Sequence, residues 1–319
     1  MANKVVFRRR WEISGGSSRS VIRKKADMEN PNLKILNTSR GPVEYLDTGI
    51  GEVVLSLHGA MGGYDQAQIL ARTIGESDYR YLSLSRPGYL GTPLTTGRTP
   101  EEQADLYAEL IELLNVEQVI VIAISGGGPS AIHFALRHRD KCRGLVLVST
   151  CGGKARNKIP LSFHIMTVLA KWPAFVTMMK KRTQKNLKQT LHRSISNSDI
   201  LERTFRDVDA MSLYREVAVG GFYRMAERIE GTRNDIRITQ TRSYPLKDIA
   251  VPTLVVHGTK DPLVSFEQHG KRLATEIPGA QLFAAEGGEH VTIFTHRREV
   301  QAKVSAFLKE LDLGRERRE

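Results

Sequence analysis

A serine follows a run of β-branched residues near the middle of the chain. The run Val119–Ile124 predicts a buried strand, Ser125 is followed by three glycines, and residues 131–138 predict a helix. A serine at such a tight strand-to-helix turn holds its hydroxyl away from the backbone, and the small neighbours let strand and helix approach each other. The N–H group of Gly126 would then face whatever the serine attacks. The pattern predicts a nucleophile, with a purely structural turn as the alternative.

An acid and a histidine follow two later predicted strands. Asp261 lies in the loop after the strand 252–257, and His290 follows the strand 281–285. The carboxyl ends of strands are where an open α/β sheet places its ligand site. A neutral serine needs a base, and the base needs an acceptor that fixes its tautomer and stabilises its charged form. We therefore predict that Ser125, His290 and Asp261 act together.

A glycine-rich loop follows the predicted strand Val53–Leu57. The loop reads His-Gly-Ala-Met-Gly-Gly over residues 58–63, and its N–H groups can supply the second half of an oxyanion hole. His58 and His257 each precede a glycine at a strand end, where we expect them to fix loops. No cluster of His, Cys, Asp and Glu has metal-ligand spacing, and no nucleotide-binding glycine pattern opens a helix. The sequence therefore predicts neither a metal nor a cofactor.

The elements that would position these residues alternate between strand and helix along most of the chain. One predicted helix, 100–114, has Thr99 and Glu102 as a capping box, and the last runs over about 297–311. Such alternation is typical of an α/β fold with a doubly wound, mostly parallel sheet. The pattern stops over residues 151–250, which predict several helices and no strand. The predicted strands are 43–47, 53–57, 79–83, 119–124, 144–149, 252–257 and 281–285.

Five segments, taken together and in order, resemble the α/β-hydrolase superfamily over about residues 41–311. The resemblance implies Ser125 as the nucleophile, His290 as the general base and Asp261 as the acid that orients it. It also implies that the N–H groups of Ala60 and Gly126 form the oxyanion hole. The first position of the serine motif departs mildly from the family, because Ala123 replaces a glycine there. The segments are His58-Gly59-Ala60, Ser85-Arg86-Pro87-Gly88-Tyr89, the Ser125 turn, 257–261 and 287–290.

The resemblance further implies a domain organisation and an activity. Residues 41–150 and 251–319 would form the catalytic framework, and residues 151–250 a helical lid over Ser125. The implied activity is serine hydrolysis of a carboxylic ester or a related acyl compound, such as a lactone or thioester. Two alternatives stay open: a carbon–carbon bond hydrolase with the same three residues, and a non-catalytic ligand-sensing or scaffold protein.

Charge is distributed unevenly along the chain, whose formal net charge is +12. Residues 1–40, predicted to be a flexible basic arm, contain ten Lys and Arg against three acids; residues 151–250 contain nineteen against nine. Such regions favour anionic partners, among them acidic substrates and membrane surfaces. Nucleic acid is disfavoured because no binding motif accompanies the charge. A solvated basic face is the alternative.

The stretch 159–179 is rich in large apolar residues and precedes a basic cluster. We predict that Met61, Trp172 and Phe175 line a hydrophobic pocket for the substrate's acyl portion. The alternative for the stretch is a weak peripheral contact of the lid and arm with an anionic membrane.

The two cysteines indicate no disulfide framework, and no secretory or membrane-spanning segment is apparent. The expected location is therefore cytoplasmic.

Overall fold

One eight-stranded sheet organises the protein in the computed structural model, which describes residues 32–155 and 161–316. The strand order is β1-β2-β4-β3-β5-β6-β7-β8. β2 pairs antiparallel with β1 and β4, and the remaining pairs are parallel. This topology confirms the predicted α/β class. The strands are Leu33–Thr38 (β1), Gly41–Thr48 (β2), Val53–Leu57 (β3), Arg80–Leu84 (β4), Val119–Ile124 (β5), Cys142–Val148 (β6), Thr253–Gly258 (β7) and Gln281–Ala285 (β8).

The sheet begins earlier than the sequence analysis predicted. β1 pairs with β2 along its whole length, from Leu33 opposite Leu46 to Thr38 opposite Gly41. The predicted arm boundary at residue 40 is therefore wrong, because residues 33–38 belong to the sheet. β1 is an edge strand whose side chains are mostly half-buried or exposed, so its apolar signal is weak beside the basic composition around it.

The central strands are apolar on both faces because helices cover both sides of the sheet. Alternate residues of β5 enter two separate cores: Val119 and Val121 join one, and Ile120 and Ile122 join the other. The first core is closed by helices α2 and α3, and the second by α1 and α12. The continuous run of β-branched residues thus has a structural cause, and it fixes the position of Ser125 at the strand end.

Twelve helices are present in the described part of the chain. The predicted capping box of α2 is confirmed, with Thr99 and Glu102 exchanging hydrogen bonds. The helices are Tyr64–Ile74 (α1), Pro100–Leu113 (α2), Gly128–Arg137 (α3), Leu161–Leu169 (α4), Pro173–Lys185 (α5), Leu187–His192 (α6), Ser198–Arg206 (α7), Val208–Gly220 (α8), Ile229–Thr241 (α9), Lys271–Glu276 (α10), Thr292–Thr295 (α11) and Arg297–Glu316 (α12).

Helices α4 to α9 all lie between β6 and β7, and we call residues 161–241 the helical insertion. Its last helix, α9, approaches the turn that follows β5, as described below. None of the helices in the described ranges combines the length and apolar character needed to cross a bilayer. Cys142 and Cys151 are buried and free, and burial raises the pKa of each thiol to about 12. Both therefore stay protonated at neutral pH and are poor nucleophiles.

Candidate active site

The backbone at Ser125 adopts a conformation that is rare for a residue with a side chain. Its φ is +50°, in the left-handed region, as a sharp turn between strand and helix requires. Thr150 lies just after β6, and its Oγ1 donates a hydrogen bond of 2.5 Å to the Ser125 carbonyl, which holds the turn in place. A Cβ on Gly128 would lie 1.8 Å from the same Thr150 oxygen. The turn therefore accepts only glycine there, and the predicted need for small neighbours has a direct steric cause.

Three side chains from separate loops form one hydrogen-bonded chain at this turn. His290 Nε2 lies 3.1 Å from Ser125 Oγ, and His290 Nδ1 lies 2.8 Å from Asp261 Oδ2. Asp261 follows β7 and His290 follows β8, so both approach from the carboxyl ends of neighbouring parallel strands. The structure thus brings together the three residues that the sequence analysis grouped.

Asp261 is held by its own loop as well as by His290. The N–H groups of Leu263 and Val264 each donate to its Oδ1 at 2.9 Å. Burial opposes ionisation, but the hydrogen bonds from His290 and the two N–H groups hold the pKa of Asp261 below its ordinary value. The carboxylate therefore stays ionised at neutral pH. His257 Nε2 lies 2.8 Å from the Val264 carbonyl oxygen, so His257 fixes this loop, as expected.

The two predicted oxyanion-hole residues are neighbours. A Cβ added to Gly126 would lie 3.3 Å from the nitrogen of Ala60. Within the described residues, the Ala60 N–H has no hydrogen-bond acceptor. A Cβ added to Gly59 would lie 3.1 Å from Ser125 Cβ, which brings the loop 58–63 against the serine. This arrangement leaves a polar N–H group free for a developing negative charge.

His58 anchors the start of that loop. Its Nδ1 lies 2.6 Å from the Gly59 carbonyl oxygen, and its Nε2 accepts a hydrogen bond from the Arg86 N–H at 3.1 Å. Burial, and then the nearby Arg86 charge, hold the pKa of His58 well below its ordinary value. The ring is therefore neutral and can serve as the acceptor that this geometry requires.

A buried ion pair, which sequence reasoning missed, connects the insertion to this loop. Asp235 on α9 accepts hydrogen bonds from Arg86 Nη1 at 3.0 Å and Nη2 at 2.5 Å, and from the Tyr89 hydroxyl. Arg86 Nε donates to the His58 carbonyl at 2.8 Å. A Cβ on Gly126 would lie 2.7 Å from Asp235 Oδ2, so this carboxylate sits beside the oxyanion hole. Burial alone would lower the pKa of Arg86, but Asp235 raises it, and the guanidinium stays charged.

The residues before Asp235 hold the next part of the loop. Thr232 Oγ1 accepts a hydrogen bond of 2.9 Å from the Met61 N–H, and Arg228 pairs with Asp65 at 2.7 Å. Arg224 pairs with the buried Glu44 at 3.2 Å. Met61 itself has a φ of +57°, a conformation that this set of contacts maintains. No local sequence signal marks these contacts, because Met61, Asp65 and Glu44 lie more than 160 residues earlier in the chain than their partners.

The predicted pocket residues occupy different places. Met61 packs with Met166 and Val176 of the insertion in an apolar cluster that also contains Met225 and Ile229. Phe175 is half-buried on α5. The structure does not bring Trp172 to this cluster. Trp172 lies between α4 and α5 and is 68% exposed. The prediction that it lines a pocket is therefore not supported.

Metal ligation does not compete with this arrangement in the part of the chain that the structure describes. Over those ranges, no group of three or more His, Cys, Asp or Glu side chains could hold a metal ion.

Comparison with known proteins defines the family. Residues 52–297 match the family model described as alpha/beta hydrolase fold. The "Alpha/beta hydrolase fold protein from Nakamurella multipartita" is a solved structure that is 30% identical. It superimposes with a TM-score of 0.76, covering 86% of this chain and 98% of that chain. The chain therefore belongs to the α/β-hydrolase fold family, which confirms the resemblance seen in its motifs.

Two curated relatives differ in their named activities. "Non-heme chloroperoxidase CPO-A1" from Kitasatospora aureofaciens is 30% identical over 267 residues, which are 79% of this chain and 90% of the relative. "2-hydroxy-6-oxononadienedioate/2-hydroxy-6-oxononatrienedioate hydrolase" from Burkholderia vietnamiensis is 24% identical over 280 residues, which are 84% and 91% of the two chains. The family thus contains more than one chemistry, and this chain's own site must be used to choose among them.

Proposed function

We propose that this protein is a serine hydrolase that cleaves a carboxylic ester, or a related lactone or thioester, with a hydrophobic acyl portion. The observation that carries the proposal is the hydrogen-bonded chain Ser125–His290–Asp261, built on a serine in a left-handed conformation. A serine, a base and an orienting acid in this geometry are what acyl transfer requires.

In the proposed reaction, Ser125 Oγ attacks the acyl carbon while His290 Nε2 takes its proton. The negative charge that develops on the carbonyl oxygen is stabilised by the N–H groups of Ala60 and Gly126. Asp261 remains ionised and stabilises the positive charge that forms on His290. His290 then protonates the leaving alkoxide, and the acyl group stays on Ser125.

Water completes the cycle by the same groups in reverse. His290 Nε2 takes a proton from the water, whose oxygen attacks the acyl carbon of the ester on Ser125. The tetrahedral intermediate collapses, Ser125 Oγ receives the proton from His290, and a carboxylic acid leaves. The cycle closes without a metal or an organic cofactor.

The apolar cluster around Met61 supports a hydrophobic acyl portion. Met61 directly follows Ala60 and packs against the same buried apolar cluster as Met166 and Val176 of the insertion. An acyl chain leaving the oxyanion hole in this direction would exchange water for these side chains. Each buried methylene would contribute up to about 0.8 kcal/mol, or roughly fourfold in kcat/KM, until the space is filled.

A series of soluble esters of increasing acyl length tests the proposal. We expect kcat/KM to rise over the first few carbons and then level or fall. Ser125→Ala should lower turnover on the order of 10³-fold or more, whereas the exposed Ser243→Ala should not. Val176→Ala or Phe175→Ala should change the length preference, and the exposed Trp172→Ala should not. Ser125→Ala turnover close to that of the wild type would contradict the mechanism.

A second candidate is hydrolysis of a carbon–carbon bond beside a ketone by the same three residues. The observation that favours it is the similarity to a relative named as a hydrolase of 2-hydroxy-6-oxo dienedioates. Assays with a ring-cleavage-type diketo acid beside the ester series separate the two. Because another relative is named a chloroperoxidase, the same panel should include hydrogen peroxide with chloride. A non-catalytic protein would turn over none of these compounds.

A further inference from the structure

The outer surface of the helical insertion presents apolar side chains that no described residue covers. Ile165, Val168 and Trp172 are 52%, 68% and 68% exposed, and Met178 is 55% exposed. The spacing of the first three places them on one side of a helix, and turn hydrogen bonds continue from α4 to Trp172 N–H. Large apolar side chains that are grouped in this way mark an interaction surface more often than singly scattered ones do.

The opposite side of the same helix is already occupied. Met166 and Ala170 point inwards and pack with Met225, Ile229 and Met61. α4 is therefore apolar on its inner and its outer side, although only the inner side meets the protein. Exposed apolar side chains that are grouped on one side of a helix are expected to meet a partner, so Ile165, Val168 and Trp172 need a partner of their own.

The segment of the chain that contains this stripe has charged residues of one sign. From residue 161 to residue 198 the chain contains seven Lys and Arg and no Asp or Glu. Lys180, Lys181 and Lys185 on α5 are exposed and form no ion pair with any described residue. A stripe of aliphatic side chains with a tryptophan and a lysine-rich flank fits an interface between acyl chains and anionic headgroups.

A groove beside α5 also combines apolar side chains with basic residues. Its floor is formed by Leu201, Phe205, Val208 and Met211, and its rim includes Lys185 and other basic residues. Phe205 is 40% exposed and Val208 is 80% exposed. α5 therefore connects an apolar stripe at its beginning with an apolar, basic-rimmed groove at its end.

We propose that this outer surface, which we call the insertion face (residues 165–188 with Phe205 and Val208), docks onto the surface of an anionic phospholipid bilayer. The aliphatic residues would enter the headgroup region, Trp172 would lie at the boundary with the acyl chains, and the lysines would contact the anionic lipid. The inner side of α4 reaches Met61, so docking would place the bilayer next to the candidate site. Docking itself does not depend on the proposed reaction.

Other occupants fit the surface less well. Two copies meeting through this face would bring like charges together. The arm formed by residues 1–32 contains eight Lys and Arg against three acids and would be repelled in the same way. Nucleic acid would satisfy the lysines but offers no apolar environment for Ile165, Val168 and Met178.

Vesicle flotation with the full chain is the test. We expect little binding to phosphatidylcholine alone, strong binding when phosphatidylserine is added, and weaker binding as salt rises. Val168→Ser with Trp172→Ser should reduce partitioning by about tenfold or more. Lys180→Gln, Lys181→Gln and Lys185→Gln together should reduce it by about a hundredfold at low salt. A matched variant with Lys247, Lys303 and Lys309 changed to Gln has the same net charge and should bind like the wild type.

The fluorescence of Trp172 provides a second, site-specific measurement. The chain has two tryptophans, so Trp11→Phe leaves Trp172 as the reporter. Its emission should shift to shorter wavelength on adding anionic vesicles and be quenched by quenchers within the acyl region. Circular dichroism melting of each variant checks that the fold is retained.

Three results would overturn the proposal. Equal binding by the wild type and by both insertion-face variants would show that the arm alone holds the protein on vesicles. Emission of Trp172 that is already short in wavelength and unaffected by vesicles would show that another part of the chain or a second copy covers the face. An absence of binding to anionic vesicles at low salt would exclude a bilayer partner altogether.

Discussion

At the scale of single residues, Asp261 determines how His290 can act. Its two carboxylate oxygens have different hydrogen-bond partners. Oδ1 accepts from two backbone N–H groups, and Oδ2 faces His290 Nδ1. The carboxylate therefore cannot rotate freely, and the proton on the ring is kept on Nδ1. Nε2 is left with the lone pair that a general base for Ser125 needs.

Asp261→Asn should lower kcat by on the order of 10³- to 10⁴-fold, because an amide can donate to Nδ1 and so favour the wrong tautomer. The measurement is turnover of a short ester at neutral pH, with thermal melting as the check on folding. Asp140→Asn, which alters an acid that is 79% exposed, is the matched control. Asp261→Asn turnover within a few-fold of the wild type would mean that another acid orients His290.

At the scale of elements, α9 acts as a support for the loop 58–63. Arg86 joins Asp235 on α9 to the His58 carbonyl, and Thr232 on the same helix accepts from Met61 N–H. The loop that contains Ala60 is thus held from both ends by contacts that involve one helix. Arg86 also neutralises the Asp235 carboxylate, which would otherwise oppose a developing oxyanion beside Gly126.

Asp235→Ala should destabilise the fold by about 3–5 kcal/mol, because it leaves Arg86 buried without its partner. The double variant Asp235→Leu with Arg86→Met removes both charges and should recover much of the stability. The kcat of this double variant should nevertheless be well below that of the wild type, because the Arg86 contact with His58 is lost. Urea unfolding and ester turnover of the two variants separate these effects. If turnover recovers together with stability, the pair does not position the loop.

Because β1 belongs to the sheet, truncations that end before and after this strand should differ in their effect on the melting temperature. Removing residues 1–31 should leave the melting temperature nearly unchanged. Removing residues 1–38 should lower it by several degrees, because β2 loses the hydrogen bonds that β1 supplies. Differential scanning calorimetry of the two truncated chains tests this difference. Equal melting temperatures for both would show that β1 contributes little to the fold.

The bounds of a strand could be predicted best from the sequence where helices cover both faces of that strand. β3 and β5 were predicted with their observed bounds, because strands covered on both faces become continuous apolar runs. Ser125, Asp261 and His290 were predicted because each lies at or within a few residues of the carboxyl end of a predicted strand. β1 was missed because an edge strand has little to bury, and Asp235 was missed because its partners Arg86 and Tyr89 lie about 150 residues earlier. Long-range ion pairs leave no periodic signal in the chain.

At the scale of the whole molecule, buried histidines make stability depend on pH. Burial is the main cause that lowers the pKa of each of five histidines, which are therefore neutral in the folded state. The unfolded chain binds protons at these residues below about pH 6.5, and the folded chain does not. Protons thus favour the unfolded state as the pH falls. The five are His58, His133, His257, His269 and His296.

The free energy of unfolding should therefore decrease as the pH is lowered from about 6.5 towards 5, by up to about 1.4 kcal/mol per pH unit for each histidine. Asp261 adds a loss at lower pH, below about 4, since its pKa is lowered in the folded state. Urea unfolding at a series of pH values measures the slope, and His133→Phe should flatten it. A free energy that is constant or increases on acidification would contradict this account.

The most direct test of the account is covalent labelling of the purified protein with an activated phosphonate ester, followed by mass spectrometry of the intact chain and its peptides. If Ser125 is the activated nucleophile, one phosphonyl group should attach per chain, on the peptide that contains Ser125, and ester turnover should disappear at the same rate. The Ser125→Ala and His290→Ala variants should not be labelled. Labelling of another residue, or no labelling of a folded wild-type protein, would contradict the central claim that Ser125, His290 and Asp261 form a working catalytic group.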